Sequence, residues 1–260
     1  AQSLPPRLAM NILVHWLGID SIASLDSACC NDRARTILFR YFSSGIVFHG
    51  WIRCTSYNQT SYFVWLLDRN IIVNYIHVCK LSHASSKLLA NAVLAQCHRA
   101  LQVLEIEMTL SICRIFSRHS YVCLTHLIVN ATLETWFSEN PTDCDDASEE
   151  DLIDILRCNQ RLGILSIVGL PSIGNKTLNA IGEYCRFLHS LTISGESQSF
   201  TDIGIDKIAV GCRQLQELTL SNTQHLSEAA LVSLFEKCHM LSFLAMWGGT
   251  GFTDKVLFSL

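Results

Sequence analysis

The chain has little charge of either sign. Only 16% of its 260 residues are Asp, Glu, Lys or Arg, the formal net charge is −4, and the nineteen basic residues are scattered. No general attraction to nucleic acid follows from such a balance. The sequence also lacks a run of about eighteen apolar residues, the length a membrane-spanning helix needs. Its most hydrophobic part, SYFVWLLDRNIIVNYIHVC at 61–79, is cut by Asp68, Arg69 and Asn70, so no membrane partner is expected. The first residues, AQSLPPRLAMN, lack the apolar core of a secretory signal. There is no initiating Met, and TDKVLFSL at the end breaks off in mid-pattern, so the sequence reads as a fragment.

Chemistry-bearing motifs are scarce too. A Gly-rich phosphate loop, a zinc-protease His pair and a nucleophile elbow are all missing. No cysteines stand at Cys-x-x-Cys spacing, and adjacent Cys29 and Cys30 are poor geometry for joint zinc ligation. No catalytic residue, metal or cofactor is therefore expected, and the chain reads as a non-enzyme. The acidic stretch ENPTDCDDASEED, Glu139 to Asp151, has no Asp-x-Asp-x-Asp-Gly spacing, so calcium is not supported either.

What is present is apolar. At 49% hydrophobic, the chain can bury one large core, or a small domain beside a larger one. Twelve cysteines would suggest a disulfide scaffold only in a short secreted chain. Spread over this length without an export signal, they suit a reducing compartment, cytoplasmic or nuclear. The Asn58, Asn130 and Asn175 glycosylation patterns carry little weight, because they require export.

The strongest signal is repetition. Leu-x-x-Leu-x-Leu, with any aliphatic allowed, recurs at Val73/Ile76/Val78, Leu101/Leu104/Ile106, Leu124/Leu127/Val129, Leu162/Leu165/Ile167, Leu188/Leu191/Ile193, Leu215/Leu218/Leu220 and Leu241/Leu244/Met246. The last four recur every 26 or 27 residues, and the acidic stretch at 139–151 is an insertion that widens the interval before them. Each triplet ends in a spacing of two, which is strand periodicity. Helical spacing follows, in Leu178 and Ile181, Ile205 and Ile208, Leu231 and Leu234. Asn175, Asp202 and Ser227 stand near the helix starts, where short polar side chains accept from free backbone N–H groups. Cys158, Cys185, Cys212 and Cys238 stand at the helix ends, three or four residues before the next strand's Leu, and are expected to form a buried column. One such unit cannot bury its apolar side alone, so neighbours stack and share a core.

With Phe200-Thr201-Asp202, Gly204-Ile205 and Cys212, the unit resembles the leucine-rich repeat family in its cysteine-containing subclass. The resemblance implies an α/β solenoid, a horseshoe with parallel strands inside and helices outside, over 71–260 and truncated at its end. The position three residues after each triplet departs from the family's Asn or Cys: it holds Leu170, Thr223 and Gly249, among others.

Residues 1–42 are different. Leu8, Ile12, Leu13, Trp16 and Leu17 share one face of a helix that starts after Pro5-Pro6 and ends at Gly18, and a second helix runs through Ile22, Leu25 and Cys29. Leu4, Pro5, Ile12, Leu13, Trp16, Leu17 and Ile22 together resemble an F-box, though the family's Trp-Arg after the Cys is missing. The F-box resemblance implies docking of these residues on a Skp-type adaptor of a cullin–RING (SCF-type) ubiquitin ligase, with the repeats recruiting the substrate. The alternative is a non-ubiquitin scaffold whose helices only cap the solenoid. Residues 43–70 read as a connector.

Alternation along each strand sends the intervening residues to the concave face. Ser166, Thr192, Ser194, Glu217, Thr219, Phe243 and Trp247 are the candidate partner-binding residues, with the two aromatics as anchors for an unknown protein target.

Overall fold

The computed structural model describes residues 19–28, 35–36, 38, 40, 47–48, 59–78, 84–107, 120–130, 149–170, 173–194 and 200–248. The elements, in chain order, begin with α1 (Ile19–Ala28), β1 (Val47–Phe48), α2 (Gln59–Asp68), β2 (Ile72–Val73) and β3 (Tyr75–Val78). Then come α3 (Ala84–Cys97), β4 (Val103–Glu107), β5 (His126–Asn130), α4 (Glu149–Cys158) and β6 (Ile164–Val168). The chain continues through α5 (Asn175–Tyr184), β7 (Ser190–Ser194), α6 (Asp202–Gly211), β8 (Glu217–Ser221), α7 (Glu228–Lys237) and β9 (Phe243–Trp247). Among the described residues no helix is long and apolar enough to cross a membrane.

Strands β3 to β9 form a seven-stranded parallel sheet in chain order, and β1 pairs with β2 in a second, two-stranded one. Within the 43–70 span, then, the described residues already form a strand and a helix. The register aligns Ile76, Leu104, Leu127, Leu165, Leu191, Leu218 and Leu244 as direct neighbours. From Ile76 to Leu218 these side chains are buried, and so are Leu178, Ile181, Ile205, Ile208, Leu231 and Leu234 from the helices. Inward-pointing strand residues and the apolar stripes of the helices thus fill one main core, with Leu231 and Phe235 of α7 in a small second cluster.

Helices α5 and α6 touch backbone to backbone. A Cβ on Gly211 would sit 1.8 Å from the Gly182 carbonyl oxygen, and one on Gly182 would sit 2.3 Å from that of Lys207. Only glycine fits at either place. The strand-end turns use left-handed residues at one recurring slot, Gly169, Asn222 and Gly248, with φ of 76°, 56° and 85°. The following position is buried in two of these turns. Leu170 joins the core, and Thr223 donates its backbone N–H (3.3 Å) and its hydroxyl (3.4 Å) to the Trp247 carbonyl of the next strand. Thr223 therefore ties this turn to the next strand.

The polar residues at the helix starts cap the neighbouring unit. Glu149 accepts from the backbone N–H groups of Gly174 (2.9 Å) and Thr177 (3.0 Å) and from the Thr177 hydroxyl. Asn175 accepts from Thr201 N–H (3.1 Å) and donates to its hydroxyl, and Asp202 accepts from Ser227 N–H (2.8 Å) and hydroxyl. Of the three expected caps, Ser227 alone accepts from its own helix, at Ala230 N–H. The Asn175 amide is thereby committed to the fold.

The cysteine column needs one correction. Cys185, Cys212 and Cys238 are buried at the helix C-caps, but Cys158 is exposed and its place is taken by Asn159. Asn159 accepts from Tyr121 N–H (2.9 Å) and donates to Ile155 O (2.7 Å). The column is also more than apolar filling. The Cys212 thiol donates to the carbonyls of Ile181 and Cys185, and the Cys238 thiol to those of Ala209 and Cys212.

At the other end, α1 is pinned to α2 by a buried carboxylate. Asp26 accepts from the Trp65 indole N–H (2.9 Å) and from Arg69 Nε (2.6 Å), with Arg35 Nε 3.7 Å away.

Candidate functional site

On the face of the sheet that points away from the core, the strands present three rows of side chains. One row runs Tyr75, Val103, His126, Ile164, Ser190, Glu217, Phe243, and the second His77, Glu105, Ile128, Ser166, Thr192, Thr219, Ala245. The third contains Glu107, Asn130, Val168 and Ser194, then Ser221 beside Trp247. The alternating burial of β4 to β7 follows from the pleat, which sends successive side chains to opposite faces.

The two halves of this face differ in chemistry. In the N-terminal half the polar groups hold one another. The Tyr75 hydroxyl donates to Glu105, and His77 Nε2 lies 3.2 Å from a Glu107 carboxylate oxygen. His126 sits beside the Thr125 hydroxyl, at 2.8 Å, and its proton affinity is lowered by partial burial and by the nearby His189. His189 Nδ1 in turn lies 2.6 Å from the Gly163 carbonyl.

In the C-terminal half four side-chain hydroxyls are uncommitted. Among the described residues Ser166, Thr192, Thr219 and Ser194 have no hydrogen-bond partner, and the first three are direct cross-strand neighbours. Glu217 is exposed and accepts from the Ser190 hydroxyl (2.9 Å). Beyond it lie Phe243, 54% exposed, and Trp247, 68% exposed, on β9. The face carries Glu105, Glu107 and Glu217 but no described Lys or Arg, so its formal charge is negative.

All seven residues predicted for this face thus lie on it, within four adjacent strands. The Tyr75–Glu105, His77–Glu107 and Ser190–Glu217 pairs were not anticipated. They join residues 27 to 30 positions apart, and only the cross-strand register could have revealed them. Of the residues predicted for adaptor docking, Leu4, Pro5, Ile12, Leu13, Trp16 and Leu17 lie outside the described residues. Ile22 lies in α1, packed into the main core and 2% exposed. Among the described residues no group of three or more His, Cys, Asp or Glu is arranged to hold a metal ion.

No family model and no curated protein matches this chain. Among solved structures, a chain of the Rad7 and Elc1 complex of yeast is similar, with a TM-score of 0.54 and 14% identity. The match covers 86% of this chain and 62% of that one, so the present chain spans less than two thirds of its neighbour's length. At this identity the likeness is one of fold. It agrees with an α/β repeat architecture around a parallel sheet.

Proposed function

We propose that the chain is a leucine-rich-repeat interaction protein of the F-box type: the substrate-recruiting subunit of a cullin–RING ubiquitin ligase, which acts by binding and not by catalysis. The concave face holds the target, and the N-terminal helices hold a Skp-type adaptor. One observation carries the reading. A row of uncommitted hydroxyls, Ser166, Thr192 and Thr219, runs beside two exposed aromatics, Phe243 and Trp247. Exposed aromatics next to hydrogen-bonding groups are the usual anchors of a protein interface. The negative sign of the face fits a neutral-to-basic target segment with an apolar residue for Phe243 and Trp247. The yeast neighbour supports the reading in a general way, since it was solved as a complex of two proteins.

A second reading is favoured by Ile22 and Asp26. Both are buried against the rest of the fold, as they would be if α1 served only to cap the solenoid. A pull-down with a purified Skp-type adaptor separates the two. The ligase reading expects capture by the parent chain and loss of capture in Leu13→Lys and Trp16→Lys. If the parent fails to bind, or both variants bind as it does, the scaffold reading stands.

A further inference from the structure

A second surface lies far from the sheet's open face, at the C-terminal ends of α5 and α6. A cleft of about 410 Å³ opens there, lined by Gly182 and Arg186 from one unit and by Val210, Gly211, Arg213 and Gln214 from the next. The glycine pair that brings the two helix backbones into contact also leaves the cleft floor free of side chains. The next junction, between α6 and α7, has Ala209 and Lys237 at the corresponding helix positions. Among the described helix junctions from α4 to α7, the glycine pair occurs at this one alone.

Charge is distributed unevenly around it. Several basic side chains along the helices are paired, Arg157 with Asp154, Lys176 with Glu150 and Lys237 with Asp206, whereas Lys87 of α3 and Lys207 of α6 have no ion pair among the described residues. Arg186 and Arg213 are exposed and have no ion-pair or hydrogen-bond partner among the described residues. They are not needed to cap the helices, because the carbonyls of Ile181 and Cys185 already accept from backbone N–H groups and from the Cys212 thiol. Left to the helix dipoles, these C-termini would repel an anion. The two guanidiniums reverse that sign. Exposed Phe187 (57%) and Val210 (48%) add apolar surface at the rim.

The geometry points to this cleft as a docking site for an acidic segment of a partner protein, held by carboxylate side chains on Arg186 and Arg213. Guanidinium and carboxylate match as a two-pronged pair. Packed helices lie about 8–10 Å apart and an extended chain advances about 3.4 Å per residue with side chains alternating between faces, so carboxylates two residues apart, on one face and about 7 Å from each other, reach both long arginine side chains. The site goes beyond the target-binding face, from which it differs in place and in sign. Adjacent apolar rim residues favour a peptide over a nucleic-acid backbone, which would meet only two cations here.

The test uses the whole chain and a fluorescein-labelled peptide with two glutamates two residues apart in a Ser-Gly background, read by anisotropy at low salt. The expected result is binding of the Glu peptide, with the Gln version weaker by about tenfold or more. Arg186→Glu/Arg213→Glu abolishes binding of the Glu peptide and gains binding of a Lys version. Arg157→Glu, on a residue already paired, leaves it unchanged. Arg186→Gln/Arg213→Gln serves as a milder pair if charge reversal disturbs the melt. Equal binding of Glu and Gln peptides by the parent overturns the proposal. So does unchanged binding by the arginine variants, or a single-stranded RNA that outcompetes the Glu peptide at the same salt.

Discussion

Buried thiols set a pH limit on this fold. Burial pushes Cys97 up to about 11 and Cys185 up to about 12, and raises Cys212 and Cys238 as well. In the unfolded chain they ionise near the ordinary thiol value, so above about pH 9 the folded state holds more protons than the unfolded one. The sign is then fixed: the thiols' contribution to stability is level below that pH and falls as pH rises, by about 1.4 kcal/mol per pH unit for each thiol still protonated in the fold. Denaturant midpoints measured between about pH 7 and 10 check this slope. Peptide mapping after brief alkylation is expected to find exposed Cys158 labelled well before Cys185 and Cys212. The column was legible in the sequence as a spacing, but its first member was misplaced. Cys185, Cys212 and Cys238 precede the next Leu by three residues and Cys158 by four, so Asn159 falls at the cap. A count back from Leu162 would have found it.

At the scale of the element, each helix depends on its predecessor. Asp202 satisfies the backbone N–H and hydroxyl of Ser227, one unit along. Asp202→Ala is expected to cost about 0.5–2 kcal/mol, the range for a lost helix cap, and Asp202→Asn less. Hydrogen exchange that speeds up at the start of α7, and not only at the start of α6, would identify the cap as a link between units. The sequence showed which residues stand at helix starts, since short polar side chains before an apolar period are a local signal. It could not show that Asn175 and Asp202 reach across to the next unit, because that bond depends on how units stack. The same holds for Glu149, whose acidic neighbourhood read as a charged loop and whose carboxylate is in fact shared by Gly174 and Thr177.

For the molecule as a whole, one alternation decides both the core and the open face. The residues that face the helices make the core, and those between them make the open face. Leucine spacing was enough to predict this for β4 to β9, where it set the register correctly. It was silent on the N-terminal part, where Asp26 joins α1 to α2 through Trp65 and Arg69, residues 39 and 43 positions away. Neither the partnered acids of the N-terminal half nor the glycine-floored cleft left a local signal, because each needs two units in contact. The most direct test compares neighbours on one strand, Leu191→Ala and Thr192→Ala, by chemical denaturation. Leu191→Ala is predicted to cost about 2–5 kcal/mol, as for other buried leucines, and Thr192→Ala less than about 0.5 kcal/mol. Equal costs, or a larger one for Thr192, would contradict the register on which both the core and the proposed binding face rest.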